Sequence, residues 1–161
     1  MEIKISCCQK EDISHILKLE PILFPEPFDK EFYEYEILFN KSAHYYKLTE
    51  ADTLVGYGGI QCILDDAHLI TIAIKSDYQN KGLGKQLLDY LIAKAKEFNC
   101  NRMILEVATN NNPAVKLYAT TGFHVTRTRK NYYKNQHAFE MILEWRNTND
   151  EKLSLSNRNK L

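Results

Sequence analysis

The chain has no charge imbalance: 21 Lys and Arg face 21 Asp and Glu over 161 residues. A formally neutral protein has no overall field to draw it onto nucleic acid, so direct nucleic-acid binding is not expected of it. There is no apolar run near the ~20 residues that a membrane-spanning helix needs. The opening stretch, MEIKISCCQK, has no long apolar core of the kind a secretory signal carries. Both absences make the cytoplasm the expected location and leave no membrane role. Cysteine is scarce, and none of Cys7, Cys8, Cys62 and Cys100 stands at C-x-x-C spacing, so no metal site is expected. All four read as buried or half-buried free thiols. There is no internal repeat. Glycine is scarce too, with six in all, yet two of them stand one residue apart in QNKGLGKQLLDYL at 79–91.

What is present is ordinary for a soluble globular protein: 44% hydrophobic and 26% charged residues. The length suits one domain with a proper core, taken as residues 1–145. After Trp145 the chain turns polar and rich in Asn, Ser and charge, so 146–161 reads as a disordered tail. IKISCC at 3–8 predicts a first strand, and Ile13, Ile16 and Leu17 place a helix over 11–20. PILFPEPF at 21–28 holds three of the four prolines and predicts a loop. Asp29 can cap a helix over 29–40. Two strands of a hairpin follow, turning near Ala51 and Asp52, and Gly58 and Gly59 suggest a bulge.

AHLITIAIK at 67–75 is β-branched and nearly continuous in apolar character, which suits a strand covered on both faces. Leu83, Leu87, Leu88, Leu91, Ile92, Ala95 and Phe98 form one apolar helix face. RMILEVA at 102–108 predicts another buried strand. In NPAVKLYATTG at 112–122, Asn112 can cap a short helix, Pro113 suits its first position and Gly122 can end it. Two last strands fall near 123–130 and 136–145. The order is that of an α/β (α+β) fold, a mixed sheet with helices on its faces, without the regular alternation of a dinucleotide-binding fold.

The paired glycines stand where a strand gives way to a helix. A helix N-terminus leaves backbone N–H groups unpaired and carries about half a positive charge. Glycine there lets an anion come close to the backbone, and Lys81 and Lys85 add full charges nearby. The loop therefore suits a phosphate or pyrophosphate. A tight ligand-free turn would read the same from spacing alone. The pattern is not G-x-x-x-x-G-K-[ST], and Leu87 stands where G-x-G-x-x-G needs its third glycine.

Gln79, Gly82 and Gly84 do fill Q/R-x-x-G-x-G/A, and NNPAVKLY at 111–118 fills N-x-x-A-x-x-x-Y. In both, the chain resembles the GNAT acetyltransferases. LEVATNNNPAVKLYATTGF, RTRKNYY, DYQNKGLGKQLLDYLI and FPEPF are further similar to the bacterial RimI family, which acetylates the N-terminal alanine of a small-subunit ribosomal protein. The resemblance runs over nearly the whole chain up to Trp145, most specifically from 67 to 133. It implies a mostly antiparallel sheet with helices on both faces, and acetyl-coenzyme A as the acetyl donor. Departures fall near the expected peptide groove. Phe28 and Asp29 stand where Trp and Ser are common, Ala108 where Arg is usual, and QHA at 136–138 replaces an acidic run.

The resemblance also implies roles. Backbone groups of Ile72, Ala73 and Ile74 would pair with the pantetheine arm. Gln79, Asn80, Lys81, Gly82, Leu83, Gly84 and Lys85 would hold the pyrophosphate, and Asn111 would bond the β-alanine part of the arm. Glu106 would accept the amine proton, and burial among apolar neighbours would raise its pKa toward the range a base needs. Tyr118 would return a proton to the sulfur. Phe28, Tyr132 and Tyr133 would line the peptide site. The expected partner is a protein or peptide N-terminus. A small amine or a lysine side chain as acceptor, and a non-catalytic acetyl-coenzyme A-binding module, remain open alternatives. The five histidines read as structural, and Arg127, Arg129 and Lys130 as a solvated basic face.

Overall fold

The computed structural model describes residues 2–145. The stretch read as a disordered tail lies outside the described residues. Seven strands form one sheet in the order β1-β2-β3-β4-β5-β7-β6. They are β1 (Ile3–Cys7), β2 (Ala43–Glu50), β3 (Thr53–Ile63), β4 (Asp66–Ile74), β5 (Arg102–Ala108), β6 (His124–Tyr133) and β7 (Gln136–Glu144). The helices are α1 (Ile13–Leu23), α2 (Lys30–Glu34), α3 (Leu83–Glu97) and α4 (Asn112–Thr121). All pairings with a recorded register are antiparallel except β4 with β5, which is parallel and joins Asp66, Ala67 and His68 to Arg102, Met103 and Ile104. Among the described residues the chain divides into two compact units, 2–62 with 69–91 and 63–68 with 92–145.

In the first unit Cys8, Ile13, Ile16, Tyr33, Tyr45, Tyr57 and Ala73 make the core. The β2–β3 hairpin turns at Ala51 and Asp52, both at positive φ (44° and 66°), as a two-residue hairpin of right-handed twist requires. The irregularity in this hairpin is not at the glycines. Leu48 pairs with Gly56 and Thr49 with Leu54, so Val55 is the extra residue, while Gly58 and Gly59 stay in register opposite Tyr46 and Tyr45. Their smallness serves packing instead. A Cβ on Gly58 would lie 3.0 Å from Leu91 Cδ1, and one on Gly59 would overlap the Tyr45 ring.

Other expectations need correction. α1 runs through Pro21 to Leu23 instead of stopping before it. Pro21 sits in the last turn, where its missing N–H removes one bond only, and the buried Ile16 and Glu20 keep the turn docked. Asp29 does cap α2, accepting from Phe32 N at 2.9 Å. The helix then widens into a π turn over Tyr35–Phe39, closed by Asn40 N–H on Tyr35 O at 2.8 Å. Cys7 is exposed, unlike Cys8 and Cys100, which are buried. Burial, then the Asp12 charge, pushes the Cys8 thiol up to about 12, so that it stays protonated and inert. β4 buries only alternate residues fully, leaving the other face half-buried, so it is not covered equally on both sides.

In the second unit Cys100, Met103, Leu105, Val107, Tyr118, Phe123, Ala138 and Met141 are buried. Phe98 lies beyond the end of α3 and is exposed, so it does not extend the apolar face. Asn111, not Asn112, caps α4, its side chain accepting from Ala114 N at 3.4 Å. Gly122 ends that helix at φ 115°. Arg102 holds Asp66 at 2.7 and 3.1 Å beside the parallel pairing.

Gly59→Ala must displace the buried Tyr45 ring and is expected to cost about 2–4 kcal/mol, read from denaturant midpoints. A loss under ~0.5 kcal/mol would show that the ring moves freely.

Candidate functional site

The first unit carries the glycine loop. After β4 a single 3-10 turn, Ser76–Tyr78, leads into it. Asn80 and Gly82 both take positive φ, 60° and 80°. Asparagine tolerates that region, and glycine has no Cβ to object. A Cβ on Gly82 would meet no atom within 4 Å, so the glycine answers to the backbone turn and not to crowding. Gly84 is the second residue of α3 and needs no left-handed backbone. The first-turn N–H groups of α3 thus face an open turn, the arrangement that suits an anion of several oxygens.

Side chains bind this loop to β4. Gln79 Nε2 donates to Ile74 O at 2.9 Å, so Gln79 shapes the loop with its own side chain. Lys75 N–H donates to Val55 O of β3 at 2.8 Å. Backbone groups alternate along a strand, so Ala73 also faces β3, while Ile72 and Ile74 turn theirs the other way. The two lysines are partly engaged. Lys85 pairs with Asp89 at 3.0 Å, and Lys81 Nζ sits 5.5 Å from the Tyr78 ring centroid.

Phe28 also belongs to the first unit. Its ring stacks on Phe32 with centroids 3.9 Å apart and meets Tyr33 edge-on, leaving it 37% exposed.

The second unit carries the carboxylate. Glu106 lies on the half-buried face of β5, its side chain 8% exposed. Its Oε2 lies 2.5 Å from His68 Nε2, and its Oε1 accepts from Arg129 Nη1 at 3.4 Å. The parallel register explains the first contact: His68 stands opposite Ile104, two residues and one pleat from Glu106. The second reaches across β7, which lies between β5 and β6. On β7 itself Glu140 stands opposite Glu106, and Arg127 bonds Glu140 at 2.9 and 3.1 Å. Those bonds hold the Glu140 carboxyl below the usual carboxylate range. Arg127 and Arg129 are therefore ion-paired on this face, and His68 is joined to Glu106.

Tyr133 OH donates to the Glu106 backbone O at 3.4 Å. Tyr118, near the end of α4, is buried. Burial, then Tyr133 nearby, pushes its hydroxyl well above the ordinary phenol range, so that it holds its proton. Tyr132 carries Arg129 over its ring at 4.5 Å, and burial followed by the Glu106 charge pushes its hydroxyl up as well. Ala108 pairs with Ala138, and Gln136 Nε2 donates to Thr109 Oγ1 at 2.8 Å, which ties the β6–β7 end to β5. Glu106, Tyr118, Tyr132, Tyr133 and Asn111 thus fall in one unit, and the β4 edge, the glycine loop and Phe28 in the other. Among the described residues no cluster of His, Cys, Asp and Glu could hold a metal ion, and no helix is long and apolar enough to cross a membrane.

The sequence profile of the Acetyltransferase (GNAT) family matches residues 11–123. A Bacillus subtilis (strain 168) protein named putative ribosomal protein bS18-alanine N-acetyltransferase is 36% identical over 83% of this chain and 88% of its own length. A Haemophilus ducreyi protein named ribosomal protein bS18-alanine N-acetyltransferase is 32% identical over 77% of this chain and 84% of its own. The crystal structure of the Escherichia coli ribosomal-protein-S18-alanine N-acetyltransferase superposes with TM-score 0.82 at 27% identity, over 89% of this chain and 94% of that one.

Gly82→Ala is expected to cost about 1–2 kcal/mol through its left-handed backbone alone. Gly84→Ala, inside a helix, is expected to cost nothing and to gain up to ~1 kcal/mol. Urea titrations of the two variants read both; equal losses would show that the turn geometry is wrong.

Proposed function

The chain belongs to the acetyltransferase (GNAT) family, and from that premise we propose that it moves the acetyl group of acetyl-coenzyme A onto the N-terminal α-amine of a protein, the N-terminal alanine of ribosomal protein bS18 foremost, in the cytoplasm. The observation that carries this reading is the near full-length similarity to the Bacillus subtilis protein of that name. Residues 1–145 work as one acetyltransferase domain in this reading.

When bound, acetyl-coenzyme A supplies an activated acetyl thioester. Asn80, Lys81, Gly82, Leu83, Gly84 and Lys85 would hold its pyrophosphate, because the first turn of α3 presents N–H groups and Gly82 leaves the approach open. Gln79 acts through the loop it ties to Ile74. Ile72 and Ile74 would pair with the pantetheine arm, with Ala73 spacing them. Asn111 spends its carbonyl oxygen on the α4 cap, which leaves its amide N–H groups to donate to the arm.

An α-amino group has a pKa near ~8 against ~10.4 for lysine, so a modest base suffices to free it near neutral pH. Glu106 takes that proton, directly or through a water, while His68 and Arg129 hold its carboxyl group by one oxygen each. Tyr118, protonated near neutral pH, would give its hydroxyl proton to the departing sulfur. Phe28, Tyr132 and Tyr133 would line the acceptor peptide.

The test is acetyl transfer to peptides with free N-termini, Ala first among them, beside N-blocked peptides that contain lysine. Transfer to free N-termini alone is expected. Transfer to blocked lysine peptides, or only to small amines, overturns the α-amine reading. Glu106→Gln and Tyr118→Phe are each expected to lower kcat by about 10²-fold with acetyl-coenzyme A affinity kept. Full activity in both would leave the chemistry to other residues. Gly84→Ala is expected to raise KM for acetyl-coenzyme A several-fold, since its methyl group would stand among the first-turn N–H groups that would meet the pyrophosphate.

A further inference from the structure

Glu20 is the most deeply buried carboxylate among the described residues, 1% exposed on α1, and the proposed chemistry does not use it. A carboxylate held out of water needs donors. Its Oε1 accepts from the hydroxyls of Tyr33 and Tyr57, the latter at 2.7 Å. Burial and the Glu20 charge push both tyrosine hydroxyls far above the phenol range, so both stay donors. Its Oε2 accepts from the backbone N–H of Phe28 at 2.9 Å.

That last bond is unlike the other two. Tyr33 and Tyr57 are core residues of regular elements, held by their own packing. Phe28 lies in a segment with no regular structure between α1 and α2, after Pro25 and Pro27. Pro27 has no N–H to anchor the loop by. The Phe28 N–H is therefore the backbone point at which a buried group grips this loop. The Phe28 ring, stacked on Phe32 and edge-on to Tyr33, is fixed from the same side, because Tyr33 touches both the ring and Glu20.

We propose that Glu20 is a positioning residue for substrate specificity: through the Phe28 N–H it sets where the Phe28 ring stands as a wall for the first residues of the acceptor peptide. This rests on the reading of Phe28 as part of the peptide site. Glu20 touches no reacting atom in it. Loss of the anchor changes peptide binding and leaves the handling of acetyl-coenzyme A alone.

Four proteins test it with an Ala-first peptide and acetyl-coenzyme A. They are the wild type, E20Q, F28A and the triple variant E20M/Y33F/Y57F. The triple removes the carboxylate together with the two hydroxyls it would orphan, so that the Phe28 N–H alone of Glu20's donors is left without its acceptor. Expected for the triple is a rise of about tenfold in peptide KM, the scale of one lost charge-assisted hydrogen bond, with kcat and acetyl-coenzyme A KM within about twofold. F28A is expected to match it. E20Q, whose amide oxygen can still accept from Phe28 N–H, is expected to stay within about threefold of wild type.

A triple variant with wild-type peptide KM, beside an F28A that raises it, overturns the anchor and keeps the wall. An F28A without effect overturns the wall and the anchor together. Absence of transfer to any peptide overturns the function itself. Amide exchange in the wild type gives a check that needs no variant. Phe28 N–H is expected to exchange far more slowly than an unstructured amide of the same sequence, and exchange at the unstructured rate would sink the proposal.

Discussion

Moving a carboxylate out of water costs several kcal/mol unless donors meet it, and the donors of this protein are arranged around that cost. Glu20 collects two tyrosine hydroxyls and a loop amide. Glu36 collects Asn40, Tyr45 and Gln61. Asp12 takes the Gln9 N–H and the Lys47 ammonium, 2.6 and 2.8 Å away. Glu106 takes His68 and Arg129. Among the described residues no buried side-chain nitrogen or oxygen is left without a partner. Each cluster joins segments distant in sequence, so the pairing requirement does structural work that apolar packing alone would leave loosely specified.

The same requirement separates two kinds of acid. Glu20 and Glu36 meet neutral donors deep in the first unit. Glu106 sits on a half-buried strand face between an imidazole and a guanidinium, charged or chargeable partners instead of neutral ones. Tyr118 complements it. Burial disfavours its phenolate, so its hydroxyl stays protonated. The glycine loop needs neither device, because a helix N-terminus and an open turn supply its polarity from the backbone.

Much of the fold was legible because its signals are local. Asp29 as a cap, the Ala51–Asp52 turn, Gly122 as a helix end and the α3 face from Leu83 to Ala95 each follow from side-chain chemistry within one turn or one strand. The misreadings were local signals that packing overrode. Pro21 marks a break, yet the docked last turn of α1 retains it. Gly58 and Gly59 mark a bulge, yet they make room for Leu91 and Tyr45 while Val55 bulges. Asn111 and Asn112 offer the same cap, and one residue of register decides between them.

The sequence by itself determined the element order, the glycine turn at the start of α3 and the presence of the two motifs that ally the chain with acetyltransferases, since all of these are written within a few consecutive residues. Tertiary structure alone decided the partners. His68 reaches Glu106 only because β4 and β5 run parallel in one particular register, and Arg129 reaches it only because β7 lies between β5 and β6. Phe28 meets Glu20 only because the loop folds back on α1. Charges far apart in the chain carry no sequence-local mark of their pairing; the strand order and register bring them together.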